Sequence, residues 1–347
     1  MKKLLIILLV AALVIGAAVT IVLNTAGGQD ALFRQAIKAN FGQPPESVEG
    51  LRVVVCGSAS PLGNDPSRAQ ACIAVLTPEH FFLFDIGTRA PQRLAQARLT
   101  MSRLNGVFLT HFHSDHIAGI PDVNLASWVQ GRKDPLRIYG GAGVDRVVNG
   151  FNMAYSLDRG YRTAHHGEGL LPAAAGPMDP VKIRPAGVVW EDAELTVTAF
   201  PVVHPPIEPA IGYRVDYQGR SVVISGDTNA AETLFTASKD ADLLFHDALS
   251  RTLLDPMIET TQSLNVPVLP RIMTDVIDYH ADVTTLPERS AAAGVRQLVL
   301  YHMVPVPVNS LAEDMFLRDL PDEIIIAKDL HTFDLPSGST EILVRAP

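Results

Sequence analysis

Thr110-His111-Phe112-His113-Ser114-Asp115-His116 follows directly on the apolar run Val107-Phe108-Leu109. Three imidazoles and one carboxylate fall within six consecutive positions behind a strand-like segment, and that is the composition of a metal site. Zinc-type ions favour neutral imidazole nitrogen and carboxylate oxygen at roughly 2.0 to 2.2 Å, and each extra ligand from one short loop costs little further chain entropy. In an extended loop, residues two apart point the same way. His111 and His113 can then share one ion while Asp115 and His116 reach a second about 3.5 to 4 Å away.

Further ligands are expected at other strand ends, because rigid elements hold them more accurately than free loops. His204 follows the run 195–200 and sits in Val202-Val203-His204-Pro205-Pro206, where the prolines stiffen the chain. Asp227 follows the run 222–224 in Ser225-Gly226-Asp227-Thr228, where Gly226 permits a tight turn. His302 follows the run 298–301. Across the chain, short apolar runs (53–56, 73–76, 81–84, 107–109, 195–200, 211–215, 222–224, 243–245, 298–300) alternate with helical stretches near 91–97, 231–237 and 287–293. Strands with interleaved helices imply an α/β architecture whose sheets are covered by helices.

The chain has 347 residues, 47% apolar and 19% charged, enough to bury one large core or two fused half-domains. Its net charge of -9 and pI near 5.6 lack the basic balance a phosphate-rich partner favours, so nucleic acid is not an expected partner. Lys2 and Lys3 precede LLIILLVAALVIGAAVTIVL at 4–23, which is 20 residues without a charge. A helix of that length spans roughly 30 Å, the hydrocarbon thickness of a bilayer. A cleaved signal peptide has a shorter apolar core of about 7 to 15 residues before its small-residue site. Here Gly16-Ala17-Ala18 lies inside the run. Residues 1–24 therefore read as an uncleaved signal anchor first, and a signal peptide second. The lysines keep the N-terminus cytoplasmic and send the rest across, to the periplasm or exterior of a bacterium. Residues 25–50, with Gly27-Gly28 and Pro44-Pro45, read as a linker, and 51–347 as the folded domain. Cys56 ends one strand-like run and Cys72 begins another, so a hairpin could bring them within the roughly 4.4 to 6.8 Å that a disulfide needs. Two buried free thiols fit equally well.

The ordered set His111, His113, Asp115, His116, His204, Asp227 and His302 resembles the metallo-β-lactamase superfamily over roughly residues 50–347. The resemblance implies an αββα sandwich, two sheets face to face between outer helices. It implies that His111, His113 and His204 hold one ion, that Asp115, His116 and His302 hold a second, and that Asp227 bridges them. Asp85, in Phe84-Asp85-Ile86-Gly87, matches a carboxylate that orients a ligand histidine through its distal N–H. His113 stands where the oxygen-reducing diiron branch has Glu, which favours two zinc ions, although manganese or iron fit many of the same atoms. An Asp bridge instead of a Cys ligand separates the chain from the best-known lactam-cleaving enzymes. His246-Asp247-Ala248 and His280-Ala281-Asp282 resemble elements of ribonuclease Z-like phosphodiesterases, with Asp247 where that branch has Glu. Gly57-Ser58-Ala59-Ser60-Pro61 resembles the first hairpin of that branch and of its arylsulfatase-like relatives. Only residues 205–226 separate His204 from Asp227, which leaves no room for the tRNA-gripping arm such enzymes often carry there.

Two divalent ions lower the pKa of a shared water towards about 7, giving hydroxide at neutral pH. Ions so placed also stabilise charge building on a phosphoryl or sulfuryl oxygen. The resemblance makes His280 the proton donor to the leaving oxygen, oriented by Asp247, with Asp115 as a second proton carrier. The expected function is hydrolysis of a small-molecule phosphodiester or aryl sulfate. A carbonyl hydrolase of lactones, thioesters or lactams is the runner-up, and a membrane-tethered metal binder without turnover the third reading. The segment 251–279 carries Leu253, Leu254, Met257, Ile272, Met273, Val276 and Ile277, which could roof the site or pack as an outer helix. His165-His166 could contact substrate or lie in a solvated loop. A homo-oligomer stays open.

Overall fold

A strand buried at every position, and not at alternate ones, needs cover on both faces. β1 (Leu51–Gly57) is buried throughout. Leu51, Val53 and Val55 face a core between two sheets, while Val54 and Cys56 face helices on the outside. The computed structural model describes residues 2–41, 47–62 and 65–347. The chain divides into two compact units, Met1–Glu46 and Ser47–Pro347.

The first unit contains α1 (Lys2–Asn24) and α2 (Ala26–Phe41). Residues 3–24 of α1 have the length and composition of a membrane span, which signal sequences share. The expected linker is helical over most of its length. Ala31, Leu32, Arg34, Gln35, Ala36, Lys38 and Ala39 are strong helix formers, and their sum outweighs Gly27-Gly28. Pro44-Pro45 lies outside the described residues.

In the second unit, β2 (Cys72–Leu76), β3 (Phe81–Phe84), β4 (Gly106–Phe108), β5 (Leu136–Gly140) and β6 (Met178–Lys182) extend the first sheet from β1. The second sheet comprises β7 (Gly187–Glu191), β8 (Leu195–His204), β9 (Ile207–Tyr217), β10 (Arg220–Ile224), β11 (Leu243–Leu249), β12 (Gln297–Val304) and β13 (Ile325–Ile326). β14 (Thr332–Leu335) and β15 (Leu343–Arg345) return to the first, beside β1. Leu94 of α3 (Ala90–Gln96) packs on the outside of the first sheet, and α4 (Ser114–Ile117) is a single turn behind β4. Val123 of α5 (Ile120–Val129) and Val148 of α6 (Val144–Ala154) pack there too, whereas α7 (Ser156–His166) buries none of its residues. On the second sheet, Leu234 of α8 (Glu232–Ala237) joins Leu286 and Phe316, which belong to helices near the C-terminus. Between them in sequence, α9 (Arg251–Ser263) and α10 (Leu269–Asp275) insert Leu254 and Met273 beside Leu249 and Val304. The order helix, sheet, sheet, helix is the expected αββα sandwich.

Strand direction gathers the functional ends. β10, β11 and β12 pair in parallel. β9 is antiparallel to both β8 and β10, so β8 runs the same way as β10. The C-terminal ends of these four strands therefore share one edge of the second sheet. The loop after β4 is tied to that edge from the opposite sheet: the Tyr213 hydroxyl donates to the Leu109 carbonyl at 2.7 Å, and the Ile211 N–H to the Thr110 carbonyl at 3.0 Å.

Cys56 and Cys72 form a disulfide across β1 and β2, fully buried, with a sequence separation of 16. Closing a loop of that size removes chain entropy from the unfolded state worth about 3 kcal/mol. Replacing both cysteines by alanine is expected to lower the unfolding free energy by about 2 to 4 kcal/mol. Urea titration of wild type and C56A/C72A measures this, and coincident midpoints would exclude the bond as a stabilising element.

Candidate metal centre

Five backbone elements deliver seven ligand-type side chains to the shared edge. His111 and His113 leave β4 in extended conformation, as the spacing predicts. Asp115 and His116 instead sit on the single turn of α4, because the chain turns helical at Ser114. His204 ends β8, Asp227 follows β10, and His302 lies within β12. Two groups result, His111 with His113, His204 and Asp227, and Asp115 with His116, Asp227 and His302. Ligand atoms within each group lie no more than 4.8 Å apart.

Asp227 belongs to both groups. Its Oδ2 lies 3.8 Å from His111 Nε2 and 4.0 Å from His204 Nε2, and its Oδ1 lies 3.3 Å from His116 Nε2 and 3.4 Å from His302 Nδ1. His113 Nδ1 stands 2.9 Å from His111 Nε2 and 3.4 Å from His204 Nε2. Asp115 Oδ2 is 3.0 Å from His302 Nε2 and 3.4 Å from His116 Nε2. All of these residues except His113 are buried.

Neighbouring groups fix which ring nitrogen faces inward. His116 Nδ1 donates to Asp85 Oδ2 at 2.7 Å, and His204 Nδ1 donates to the Tyr279 carbonyl at 3.0 Å. Thr110 spends its hydroxyl proton on Asp85 Oδ2 at 2.7 Å, so its oxygen accepts from His111 Nδ1 at 3.1 Å. In its neutral form each of the three rings then presents an unprotonated Nε2 to the centre. Asp85 also accepts the Thr110 N–H at 2.9 Å, and its φ of 56° is left-handed. Thr110 and Tyr279, like Ser225 discussed below, were given no role by sequence reasoning. Each is adjacent to a residue that was singled out, and only their contacts identify them.

The donor set fits divalent cations. His116 Nε2, Asp227 Oδ1 and His302 Nδ1 are buried without a hydrogen-bond partner, although they face one another. Lone pairs crowded together in a dry site call for a positive charge among them. Burial lowers the pKa of His111, His113 and His204, and neutral imidazole is the ligating form. Burial also disfavours charge on His116 and His302, yet Asp227 and its neighbouring carboxylates outweigh it and raise both rings. The carboxyls of Asp115 and Asp227 are pushed up by burial, but the histidines around them hold both well below the usual carboxylate range. The carboxylates that draw protons to His116 and His302 would equally draw a metal ion.

A backbone irregularity aims His302. Val299 and Tyr301 face the core between the sheets and Leu298 and Leu300 face the helices, so plain alternation would turn His302 to the helices. The pairing of β11 and β12 slips at this point, with Asp247 opposite Tyr301 and Ala248 opposite Met303. His302 is the extra residue of the bulge, with φ of 44°. Gly226 has φ of 62°, and a Cβ there would stand 2.8 Å from Thr110 Cβ, so the turn carrying Asp227 needs glycine.

Beside the centre, His280 Nδ1 donates to Asp247 Oδ2 at 2.7 Å, and Asp247 Oδ1 lies 3.1 Å from His246 Nδ1. The Asp247 N–H donates to Ser225 Oγ at 3.0 Å. Burial pushes the Asp247 carboxyl up, but hydrogen bonds with His246 and His280 prevail and lower it. A cleft of about 400 Å³ opens onto the centre. His113, His204, His280 and His302 line its polar side, and Leu62, Ile272, Val276, Tyr279 and Val304 its apolar side. Segment 251–279 thus divides its roles, with Leu254 and Met273 packing inward while Ile272 and Val276 roof the cleft. His165 and His166 are exposed at the end of α7 and are not among the residues lining the cleft. β8 passes into β9 through Pro205-Pro206 alone, without an inserted arm.

The profile of the Beta-lactamase superfamily domain matches residues 80–303. Ribonuclease Z of Mycolicibacterium gilvum is 32% identical over 296 residues, covering 83% of this chain and 97% of the relative. The metallo-beta-lactamase fold protein YhfI from Bacillus subtilis superposes with a TM-score of 0.57 at 18% identity, covering 82% of this chain and 98% of its own. Human tRNase Z, short form, superposes with a TM-score of 0.56 at 19% identity, covering 82% and 99%. The relative's name counts against the expectation, drawn from net charge, that nucleic acid is no partner. Electrostatic repulsion is a property of local surface, and an overall charge of -9 does not describe it.

Asp85→Ala should free the His116 ring and weaken metal binding by about 10- to 100-fold, the usual loss when a carboxylate behind a ligand histidine is removed. Competition with a chromogenic chelator measures it. Unchanged affinity would mean that His116 is oriented by packing alone.

Proposed function

The chain belongs to the metallo-β-lactamase superfamily and is a metal-dependent hydrolase of it, and from this premise we propose that it is a dinuclear zinc phosphodiesterase. The carrying observation is Asp227, whose two oxygens face separate ligand groups at 3.3 to 4.0 Å. In this proposal His111, His113 and His204 hold one ion, Asp115, His116 and His302 the other, and Asp227 both. When bound, such ions supply an acidified water and positive charge against the oxygens of a phosphoryl group.

The chain's own residues do the rest. Asp85 sets the His116 ring, and the Tyr279 carbonyl sets that of His204. His280 lines the cleft with Nδ1 committed to Asp247, so its Nε2 is the atom that passes a proton to the leaving oxygen. Asp247 stabilises the imidazolium and is itself held by Ser225. Asp115 is a second proton carrier at the floor. An aryl sulfate, also singly charged, fits the same groups. RNA is a further candidate phosphodiester, supported by the name of the 32% identical relative.

Residues 1–24 are proposed to anchor the chain in a membrane, with 25–50 as a connecting segment and 51–347 as the catalytic domain on the periplasmic or extracellular side. The Cys56–Cys72 disulfide supports an oxidising compartment.

Purified protein is expected to carry close to two zinc ions per chain and to lose turnover of bis-p-nitrophenyl phosphate on chelation. Plasma emission analysis and a colorimetric assay measure both, and less than one ion per chain with no turnover on adding metal would sink the proposal. His280→Ala should keep its metal while turnover falls roughly 10²- to 10⁴-fold. Unchanged turnover would remove His280 from the reaction.

A further inference from the structure

The α10 segment carries an apolar stripe whose outer part, Val268 and Ile272, is exposed and outside the buried core, while its inner end, Val276, joins that core. Val268, Ile272 and Val276 follow one another at four-residue intervals, so they share one face of the helical segment. Their exposure falls from 60% at Val268 to 47% at Ile272 and 8% at Val276. Ile272 and Val276 line the cleft over the candidate metal centre, so the stripe leads from open surface down to the reacting groups. Met273 is fully buried against Leu254 and Leu249, and Val276 at the end of the helix joins the same core. Leu269, also exposed, widens the stripe at its outer end.

The opposite property of the cleft is its charge. Among the described residues that line it there is no Lys or Arg, and its ionisable groups are histidines, the Tyr279 phenol and the carboxylates Asp115 and Asp227. A polyanion needs a track of cationic side chains to offset its charge, and a doubly charged phosphomonoester needs more compensation than a diester. An apolar ramp ending at a compact charged centre matches a different shape of substrate.

We infer that the Val268–Ile272–Val276 stripe receives an alkyl or aryl substituent of a singly charged ester whose reacting group lies at the metal centre. The inference rests on the hydrolase proposal for its turnover arm and on binding alone for its second arm. The Tyr279 ring, 4.9 Å from that of His204 and perpendicular to it, closes the inner end of the ramp. The substituent therefore lies over Ile272 and Val276 while the ester oxygens face His280.

The test uses the full chain, zinc-loaded, in nanodiscs, with p-nitrophenyl phosphodiesters whose second alcohol is methyl, ethyl, propyl or butyl. Burial of each methylene on the ramp should raise kcat/KM about two- to fourfold. Val268→Ser and Ile272→Ser should each flatten that series, the second more strongly. A flat series in the wild type, or an unaltered slope in Ile272→Ser, overturns the inference. So does cleavage of an RNA stem-loop with a 3′ extension at more than a hundred times the rate for the butyl ester. Calorimetry with methyl and butyl methylphosphonate supplies the second arm. If no ester turns over but the butyl compound binds more tightly and Ile272→Ser erases the difference, the hydrolase proposal fails and the ramp stands. Equal binding of the two phosphonates removes the ramp as well.

Discussion

One carboxylate, buried between two sets of imidazoles, is the constraint around which the catalytic unit is arranged. Asp227 carries a negative charge into a region where an isolated one would be costly, and each oxygen faces one histidine from each sheet's side of the centre. Its position needs a turn that only glycine makes comfortably, and that turn needs the Thr110 side chain to stop short of it. Thr110 in turn links Asp85, His111 and the backbone of the first sheet to the same point. The C-terminal ends of β8, β10, β11 and β12 meet at one edge because the four strands run the same way, with β9 antiparallel between β8 and β10.

Much of this was legible in the sequence, for definable reasons. Four ligands crowd into residues 111–116 directly behind β4, and those of β8 and β10 end or follow apolar runs, so pattern and chemistry coincide. The same runs gave the α/β class, and the resemblance carried by the ligand pattern gave the sandwich. What was not legible depended on contacts between distant segments. The bulge at His302 is such a case, because alternation along β12 sends that ring to the wrong face and only the slip against β11 corrects it. Helix α7 was missed because it buries nothing, and β6 and β7 because they are short and partly exposed. The helix over Ala26–Phe41 was obscured by its glycine pair. The cysteines left two outcomes open until the pairing of β1 with β2 brought them together.

The groups around the centre form two layers with different tasks. Thr110, Asp85 and the Tyr279 carbonyl hold nitrogen atoms in one tautomer and direction, and they do so from backbone positions on separate elements. Asp247, Ser225 and His246 do the same for His280, one step further from the ligands. The second set lies on β11 and in the turn before Asp227, so the His280 side of the cleft and the Asp227 carboxylate share their scaffold. A displacement of that turn would reach both.

The origin of the ligands has a consequence for the lifetime of the protein. Four of the seven side chains come from the loop and turn behind β4 in the first sheet and three from β8, β12 and the turn after β10 in the second, so any ion held by both sets would tie the sandwich together. A ligand that binds only the folded chain adds stability as its free concentration rises above its dissociation constant, about 4 kcal/mol at a thousandfold excess. That is comparable to a large part of the margin by which a domain stays folded. Supply of the metal ion would then govern how long the molecule survives proteases, as well as its activity.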